Sequence, residues 1–387
     1  MSPGAAIIIV TFNSSTTIEA CLASVLVTLR PVDEVFVIDN NSSDNTLDLV
    51  HPLVSANDNR VHVLPQSRNL GFSRGCNIGI ENSDQEYVIL LNPDTEVFGD
   101  WIERLINHFS EHDKTGAVGA LSNRALRSQQ IRSYLPDYLD YLTDVDGLLV
   151  ALEKKFHRKS IPTRLLMGFC LALRRDLIER FGPLDEDIFL GDDDLEISWR
   201  LREKGYLLRI ALDVFLNHED HVSFDTLPES QANALLRQGT DVLFAKMQKY
   251  YKPARVPDPR IYFAIHWWRP SILDKKPYHE VFDPDVLPCP IDEILPTVRR
   301  HLKAAAIDRA VTIMEKSLEF LPNDYMLWYT LGSVYLLMEK LDKAEFALKN
   351  ASCFEDKKVQ ARTKLLELYK RQHRLDEARR FLGEFCG

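Results

Sequence analysis

The sequence lacks a hydrophobic run long enough to cross a membrane. Its first apolar stretch, residues 5–10, has only six residues, whereas a membrane-spanning helix needs about 20. No basic stretch precedes it, as a signal peptide would require. We therefore interpret this stretch as a buried first strand, and we expect neither a transmembrane segment nor a targeting segment.

Cysteine is sparse and scattered. The six cysteines stand at positions 21, 76, 170, 289, 353 and 386, and no two of them form a CxxC pair. This spacing disfavours a zinc site and a disulfide framework, and it is typical of a reducing compartment. We therefore expect the protein to be cytoplasmic.

A basic surplus is missing as well. The chain has 47 Lys and Arg residues against 57 Asp and Glu residues, a formal net charge of −10. Nucleic-acid binding needs a basic surface, so we expect no nucleic-acid partner. Neither GxGxxG nor GxxxxGK[ST] occurs, so the usual dinucleotide fingerprint and the P-loop are both absent.

The residues that are present indicate a folded protein of two or three domains. The length is 387 residues, and 45% of them are hydrophobic, which is typical of globular proteins. In the first third, apolar runs alternate with stretches of helical spacing, which predicts an α/β domain with a mostly parallel sheet. The predicted strands are 6–10, 35–38, 61–64, 87–91 and 117–121, and the predicted helices are 16–29, 43–54, 73–80 and 101–109.

The domain organisation changes after residue 252. Eight prolines fall between residues 252 and 290, too many for long regular elements. We therefore predict an α/β domain over 1–252, a proline-rich connector over 253–290 and a helical repeat domain over 291–387.

The repeat prediction for the last segment depends on a period of 34 residues. Five pairs of identical residues are separated by this distance, namely Leu331 and Leu365, Tyr335 and Tyr369, Leu341 and Leu375, Asp342 and Asp376, and Ala344 and Ala378. A helix–turn–helix unit of this length is typical of tetratricopeptide repeats. An unrelated bundle of amphipathic helices is the alternative interpretation.

Polar residues follow each of the first four predicted strands. In a doubly wound sheet, ligands bind outside the carboxyl ends of the strands, so these residues are candidates for one binding site. Any one of them could instead form only a turn or a helix cap, and the prediction depends on their coincidence. They are Thr11, Asn13, Asp39, Arg74, Asn77, Asn92 and Asp94.

Six segments occur in a characteristic order, namely VTFN (10–13), VIDNNSSDNT (37–46), RNLGFSRGCNIG (68–79), LLNPDT (90–95), GFCLALRRDLIERFGPLDEDIF (168–189) and DDDLEISWRLREKGY (192–206). This order resembles the family 2 inverting glycosyltransferases with the GT-A fold, over roughly residues 5–225. Within the family, the rhamnosyltransferase-like and protein-glycosylating subgroup is the most similar. The resemblance implies transfer of a sugar from a nucleotide-diphosphate sugar to an acceptor hydroxyl.

By the same resemblance, the polar residues bind the donor. Thr11, Asn13 and Asp39 would hold the base and the ribose of the nucleotide. Arg74 and Asn77 would close the nucleotide pocket. Gly168 would lie in the segment against the donor sugar and the acceptor.

Asn92-Pro93-Asp94 stands where the family has Asp-x-Asp, which implies a divalent cation. A hard cation such as Mn²⁺ or Mg²⁺ neutralises the diphosphate leaving group, and carboxylates hold such ions. We expect Asp94 to be the main ligand and Asn92 to offer only a neutral carbonyl, so that the metal is weakly held without donor. A Pro93-Asp94 turn that only caps the following helix is the alternative interpretation. His218 would complete the metal shell by resemblance, with a purely structural histidine as the alternative.

Residues 192–196 carry four acids in five positions. Acids this close repel one another and raise at least one pKa. The resemblance makes Asp194 the general base that takes the proton of the acceptor hydroxyl, and makes Asp193 its support. Two alternatives stay open, a shift of the base to Asp193 and a cluster that is only a solvated face.

The donor and the acceptor are less defined. The sequence predicts UDP-N-acetylglucosamine or dTDP-rhamnose as donor without choosing between them. Repeat arrays form concave surfaces, so Ser or Thr of a protein such as flagellin is the first acceptor hypothesis. The alternatives are a polysaccharide or lipid-linked glycan, and a non-catalytic nucleotide-sugar scaffold with a partner-binding tail. Self-association through the repeats, giving a homo-oligomer, is a further hypothesis.

Overall fold

A computed structural model describes residues 3–54, 59–125, 128–141, 143–219, 229–251, 256–257, 262–263, 293–320, 324–352 and 358–374. The chain divides into two compact units, one built mainly from residues 1–256 and the other mainly from residues 280–387. Most of the proposed connector, 253–290, lies outside the described residues, as do three residues of the predicted repeat pairs, Leu375, Asp376 and Ala378.

Nine strands in the described part of the first unit form one sheet. They are β1 (Ala5–Thr11), β2 (Glu34–Asp39), β3 (Val61–Pro65), β4 (Tyr87–Leu91), β5 (Thr95–Val97), β6 (Thr115–Ser122), β7 (Ser160–Thr163), β8 (Cys170–Arg174) and β9 (Leu207–His218). The helices are α1 (Ile18–Thr28), α2 (Thr46–Leu53), α3 (Phe72–Glu81), α4 (Trp101–Ser110), α5 (Val145–Phe156), α6 (Arg175–Phe181), α7 (Asp193–Glu203) and α8 (Glu229–Tyr251). Two short 3₁₀ helices cover Ile131–Ser133 and Pro136–Tyr141.

The sheet has the order β3-β2-β1-β4-β8-β6-β9-β5, with β7 also paired to β9. The first four strands are parallel, as the alternation of strands and helices predicts. The rest of the sheet is mixed, because β8 runs antiparallel to both β4 and β6. The predicted α/β class is therefore confirmed. The sheet was predicted to be mostly parallel, whereas four of its eight strand pairings are parallel and four are antiparallel.

The parallel strands are buried on both faces, which explains their continuous apolar sequence. In β1, Ile7 and Ile9 pack into one hydrophobic layer with α1, and Ile8 and Val10 pack into the opposite layer with α3. Burial of each such side chain stabilises the fold by about 1.5–3 kcal/mol. Three buried free cysteines, Cys21 on α1, Cys76 on α3 and Cys170 on β8, contribute to these layers.

The described part of the second unit is helical. Its helices are α9 (Ile294–Lys303), α10 (Ile307–Phe320), α11 (Tyr325–Leu337), α12 (Leu341–Ser352) and α13 (Lys358–Arg371). The expected helical region after the α/β domain is confirmed. Gly332 allows close packing of α11 on α12, because a Cβ at this position would lie 2.7 Å from Cγ of Leu348. The assignment to the tetratricopeptide class stays a prediction.

Among the described residues, no helix combines the length and the apolar character that crossing a membrane requires.

Candidate active site

The candidate site begins where β1 and β2 end side by side. Thr11 pairs with Asp39 in the parallel register of these two strands. Asp39 is 1% exposed. Its Oδ1 accepts hydrogen bonds from the Thr11 hydroxyl at 3.0 Å and from the Ser42 hydroxyl at 2.5 Å, and its Oδ2 accepts one from the Ser42 backbone N–H at 3.0 Å. Both oxygens of this buried carboxylate are thus satisfied by neutral donors.

Asn13 completes this group of residues. It has a left-handed backbone with φ of 50°, a conformation that asparagine tolerates better than most residues. Its backbone N–H donates to Ser42 Oγ at 2.9 Å, and its side-chain oxygen accepts from the Ser43 N–H at 2.8 Å. We call Thr11, Asn13, Asp39 and Ser42 the nucleotide corner. The three predicted residues of this corner do lie together.

Arg74 and Asn77 lie on α3 and have partners in the turn that follows α6. Asn77 is fully buried, and its amide donates to the Leu184 carbonyl and to Glu186, while its oxygen accepts from the Leu184 N–H. Arg74 forms ion pairs with Glu81 at 2.7 Å and with Glu186 at 3.0 Å. Both side chains therefore hold this turn, a role that the sequence analysis did not assign to them.

Asp94 and His218 come together because β5 pairs with β9, with Thr95 opposite His218. Oδ1 of Asp94 lies 3.4 Å from Nε2 of His218. Nδ1 of the same ring lies 2.9 Å from the Arg124 carbonyl oxygen. A carbonyl can only accept, so Nδ1 carries the hydrogen, and in the neutral ring the Nε2 lone pair faces Asp94.

The pair of Asp94 and His218, here called the metal pair, fits a divalent cation. Oδ1 of Asp94 is buried and has no hydrogen-bond partner among the described residues, which is costly unless a ligand satisfies it. An oxygen and a nitrogen 3.4 Å apart can share one cation at bond lengths of about 2.1 Å. The described residues contain no group of three or more His, Cys, Asp or Glu side chains suited to a metal. Other ligands would have to come from outside this set.

Asn92 has a fixed backbone beside the metal pair. Its N–H donates to the Phe169 carbonyl at 2.9 Å, and its carbonyl accepts from the Thr95 hydroxyl at 2.7 Å and from the Cys21 thiol at 3.5 Å. Burial raises the pKa of Cys21 to about 12, so this thiol stays protonated. The Asn92 side chain is only partly buried.

Asp193 and Asp194, here called the acid pair, open helix α7. Asp194 is 9% exposed. Its Oδ2 accepts from the Gly168 N–H at 3.0 Å, and its Oδ1 accepts from its neighbour Leu195 N–H at 2.8 Å. These bonds orient the carboxylate, because both of its oxygens are held by backbone donors.

The two carboxyl groups of the acid pair both have raised pKa values. Burial raises the pKa of Asp194 well above its ordinary value, and the charges of Asp193 and Asp192 raise it further. Burial also raises the pKa of Asp193 to about 7, and the charges of Asp192 and Glu196 add to this while a backbone N–H opposes it. Neighbouring carboxylates of this kind titrate as a pair and suit proton transfer near neutral pH.

The segment Gly168–Phe169 joins the metal pair to the acid pair. A Cβ at Gly168 would lie 3.5 Å from Cβ of Asp194 and 3.7 Å from Oδ2 of Asp193. The next residue, Phe169, stacks its ring on His218, with ring centroids 5.1 Å apart. The structure therefore gathers Gly168, the acid pair and the metal pair around one short segment, which directly precedes β8, where Cys170 pairs with Leu91 at the end of β4.

Glu196 separates from the acid pair despite its position in the same acidic run. It is 1% exposed, and its carboxylate lies 2.6 Å from Lys246 Nζ and 3.0 Å from the Arg200 guanidinium. A buried carboxylate with two cationic partners is a structural ion pair. The acidic run thus contains residues with two different roles.

Several residues that support the site were missed by the sequence analysis. Gln129 is fully buried, accepts from the Met167 N–H at 2.7 Å and donates to the Ala120 carbonyl at 2.9 Å. Ser198 accepts from the Leu166 N–H at 3.3 Å. These bonds fix the backbone just before Gly168. No sequence signal could have identified them, because an isolated Gln or Ser is an ordinary surface residue.

Residues 6–182 match the family model described as Glycosyl transferase family 2. The match covers a little less than half of the chain.

Individual relatives are similar over part of the chain. The poly-beta-1,6-N-acetyl-D-glucosamine synthase of Staphylococcus aureus is 26% identical over 206 residues, which are 53% of this chain and 47% of the relative. The chain thus spans about half the length of the curated relatives it matches. A mannosyltransferase of Pyrobaculum calidifontis, solved with GDP-Man and Mn²⁺, is 20% identical with a TM-score of 0.47, over 87% of this chain and 86% of that one. GalNAc-T7, solved with UDP, GalNAc and Mn²⁺, is 18% identical with a TM-score of 0.45, over 56% of this chain and 44% of that one.

Proposed function

We propose that this protein is an inverting, metal-assisted glycosyltransferase that moves a sugar from a nucleotide-diphosphate sugar to an acceptor hydroxyl. One observation carries the proposal. The segment Gly168–Phe169 contacts both the metal pair and the acid pair, so a leaving diphosphate and a reacting hydroxyl can be served from one place.

The nucleotide corner binds the base and ribose of the donor in this proposal. Asn13 of the corner is partly buried and bonds to the exposed Ser43 beside it, while the buried Asp39 carboxylate fixes the loop that presents them. Arg74 and Asn77 act on the same pocket through the turn after α6. Because the Staphylococcus relative is named for N-acetyl-D-glucosamine, UDP-N-acetylglucosamine is the first donor to test and dTDP-rhamnose the second.

Asp94 and His218 would hold Mn²⁺ or Mg²⁺, which neutralises negative charge on the diphosphate when it is bound. With only two ligands from the described chain, the affinity of the site depends on donor phosphate oxygens. Asn92 contributes at most a neutral oxygen. This composition supports metal binding that is weak without donor and tight with it.

Asp194 is the proposed general base. The acceptor oxygen attacks the anomeric carbon as its proton passes to the Asp194 carboxylate, and the bond between that carbon and the diphosphate oxygen breaks. The displacement is direct, so the configuration inverts and no glycosyl-enzyme forms. Asp193 supports the base, since its charge raises the pKa of Asp194.

The helical unit is proposed to be a tetratricopeptide-like array that recognises a macromolecular acceptor. Helices α10 and α12 begin at Ile307 and Leu341, 34 residues apart, which supports this assignment. A protein hydroxyl is the first acceptor to test, and a polysaccharide or lipid-linked glycan is the second. Self-association through the array is a separate hypothesis.

The direct test incubates the full chain with a panel of nucleotide sugars, with and without Mn²⁺, and measures released nucleoside diphosphate. We expect slow hydrolysis of at least one donor and its loss in chelator. NMR of a transferred product should show an anomeric configuration opposite to that of the donor. Donor binding without turnover of any sugar would favour the non-catalytic scaffold instead.

The role of the helical unit is tested by a chain that ends near Pro290. All residues proposed for chemistry lie before residue 225, so this variant should still hydrolyse donor and should lose transfer only to a macromolecular acceptor. Unfolding of the variant would favour a purely supporting role for the helices. A change in oligomeric mass with unchanged transfer would favour self-association.

A further inference from the structure

Helix α8 contacts the segment that precedes the acid pair, although none of the helix residues was predicted to belong to the site. The segment before the acid pair, residues 185–192, is here called the acid turn. It ends in two consecutive left-handed residues, Gly191 with φ of 73° and Asp192 with φ of 62°. For a residue with a side chain this conformation is unfavourable, so it persists only where the surroundings hold it.

Three side chains of α8 bind the acid turn. The Thr240 hydroxyl donates to the Asp192 carboxylate, and the Gln238 amide donates to the Asp187 carbonyl at 3.0 Å. The Lys246 ammonium bridges Asp185 of the acid turn and Glu196 of α7. The helix is thus bonded to the beginning, the middle and the end of this segment.

The backbones of α8 and the acid turn are also in close contact. A Cβ at Gly239 would lie 2.8 Å from the Gly191 carbonyl oxygen and 3.3 Å from that of Leu190. In return, a Cβ at Gly191 would lie 2.4 Å from Cδ2 of Leu236. Only a glycine at each position allows this approach, which brings Thr240 within reach of Asp192.

Asp192 transmits the contact to the acid pair. It is the residue before the first turn of α7, and its carbonyl accepts the Glu196 N–H at 2.9 Å. The direction in which α7 presents Asp193 and Asp194 therefore depends on the conformation of Asp192. The charged groups around the acid pair are Asp192 from the turn, Glu196 from α7, and the Arg200 and Lys246 partners of Glu196.

We infer that Thr240 and Gly239 are positioning residues for the transfer reaction, because α8 fixes the left-handed acid turn from which the acid pair is presented. The inference rests on the proposed function of the acid pair. Neither residue touches the reacting atoms. Their effect should therefore fall on turnover and leave donor binding intact.

The test substitutes Thr240→Val, which keeps the shape and removes the hydroxyl, and Thr240→Ser, which restores it. Misplacement of a catalytic group by an ångström can cost about a hundredfold in rate, so we expect Thr240→Val to lower kcat by about tenfold or more. KM for the donor should stay within about twofold, and Thr240→Ser should recover most of kcat. Gly239→Ala should act in the same direction and more strongly.

The matched control is Thr363→Val on α13. Its hydroxyl donates to the Val359 carbonyl four residues back at 2.9 Å, and Thr363 is exposed. The Thr240 hydroxyl oxygen lies at the same distance from the Leu236 carbonyl, so its single hydrogen is shared between that carbonyl and the Asp192 carboxylate. This variant should leave kcat for donor hydrolysis unchanged, because the helical unit is proposed to act only on a macromolecular acceptor. A similar loss of kcat in both threonine variants would mean that the back-bond, and not the contact with Asp192, is responsible.

Hydrogen exchange of the full chain, read over residues 186–196, supplies a measurement that does not depend on activity. Faster exchange in Thr240→Val with reduced kcat supports the inference. Unchanged exchange, or faster exchange with unchanged kcat while Asp194→Asn is inactive, overturns it. If Asp194→Asn itself keeps full activity, the proposed base is wrong, and exchange alone still decides whether α8 holds the turn.

Discussion

The nucleotide corner and the acid pair both bury carboxylates, and donors reach both oxygens of Asp39 and of Asp194, but the charges around the two groups differ. Asp39 receives hydrogen bonds on both oxygens from the hydroxyls of Thr11 and Ser42 and a backbone N–H. Burial raises the pKa values of Asp193 and Asp194, and the charge of Asp192 raises both further, with Glu196 adding to the effect on Asp193 and Asp193 adding to the effect on Asp194. Since burial beside like charges costs stability, this difference separates a carboxylate that builds a loop from carboxylates that we propose act in chemistry.

The largest expected effect distinguishes the two members of the acid pair. Asp194→Asn should lower kcat by about 100-fold or more, the scale of a lost general base. Asp193→Asn should be milder and should move the acidic limb of the pH–rate profile to lower pH, because it removes a charge that raises the pKa of Asp194. Steady-state kinetics over pH 5–9 measures both. A crippled Asp193→Asn beside an active Asp194→Asn would transfer the role of base to Asp193.

The second experiment tests whether the metal pair acts in the reaction, as expected of the acid pair, or mainly in stability, as expected of the nucleotide corner. Asp94→Ala removes a buried oxygen that has no partner among the described residues, so it should abolish Mn²⁺ dependence and lower kcat/KM by about 10–100-fold. Asn92→Ala should do less, and Asn92→Asp should tighten metal binding measured by calorimetry. Full activity of the unaltered protein in chelator would remove the metal from the mechanism.

The nucleotide corner should respond in stability more than in chemistry. Asp39→Asn replaces one carboxylate oxygen with an N–H₂ group, which cannot accept hydrogen bonds from the neighbouring donors. The free energy of unfolding should therefore fall by about 1–3 kcal/mol. Asp44→Asn is the matched control, because Asp44 also accepts backbone N–H bonds, from Ser15 and Thr46, but is exposed. Urea denaturation measures both. Equal losses would show that burial of Asp39 is not the cause.

The smallest expected effect is a pH-dependent gain in stability when Asp193 of the acid pair is replaced. The folded-state pKa of Asp193 is about 7, against an ordinary value of 3.8, so its contribution to stability is present below about pH 4 and is lost as pH rises through 7. Asp193→Asn should therefore raise Tm at pH 8 by roughly 2–4 °C and change it little at pH 4. A Tm shift that is the same at both pH values would contradict this cause.

The strands of the parallel half could be predicted because their sequences are short, apolar and bounded by polar turns. Strand β4 was predicted as Tyr87–Leu91 and has these same bounds. The antiparallel direction of β8 could not be predicted. An apolar run such as Cys170–Arg174 reads alike in both directions, and its orientation is set by pairing with β4, some 80 residues earlier.

The site shows the same limit. Sequence position and family resemblance located Asp39, Asp94 and Asp194, because each follows a strand or opens a helix. The sequence could not show which of the neighbouring acids forms an ion pair and which is held by backbone groups. Glu196 is neutralised by Lys246, 50 residues away, whereas Asp194 is held by the Gly168 backbone. Partners this distant in the chain become visible only in three dimensions.

The three buried cysteines provide a built-in probe of local opening. Burial raises the pKa of Cys21, Cys76 and Cys170, so each thiol stays protonated and shielded in the folded unit. An alkylating reagent reacts with the thiolate and needs access, hence each site is modified only when its own surroundings open. Pulse labelling followed by peptide mass spectrometry would then report separate opening free energies in α1, in α3 and in β8, without any introduced label.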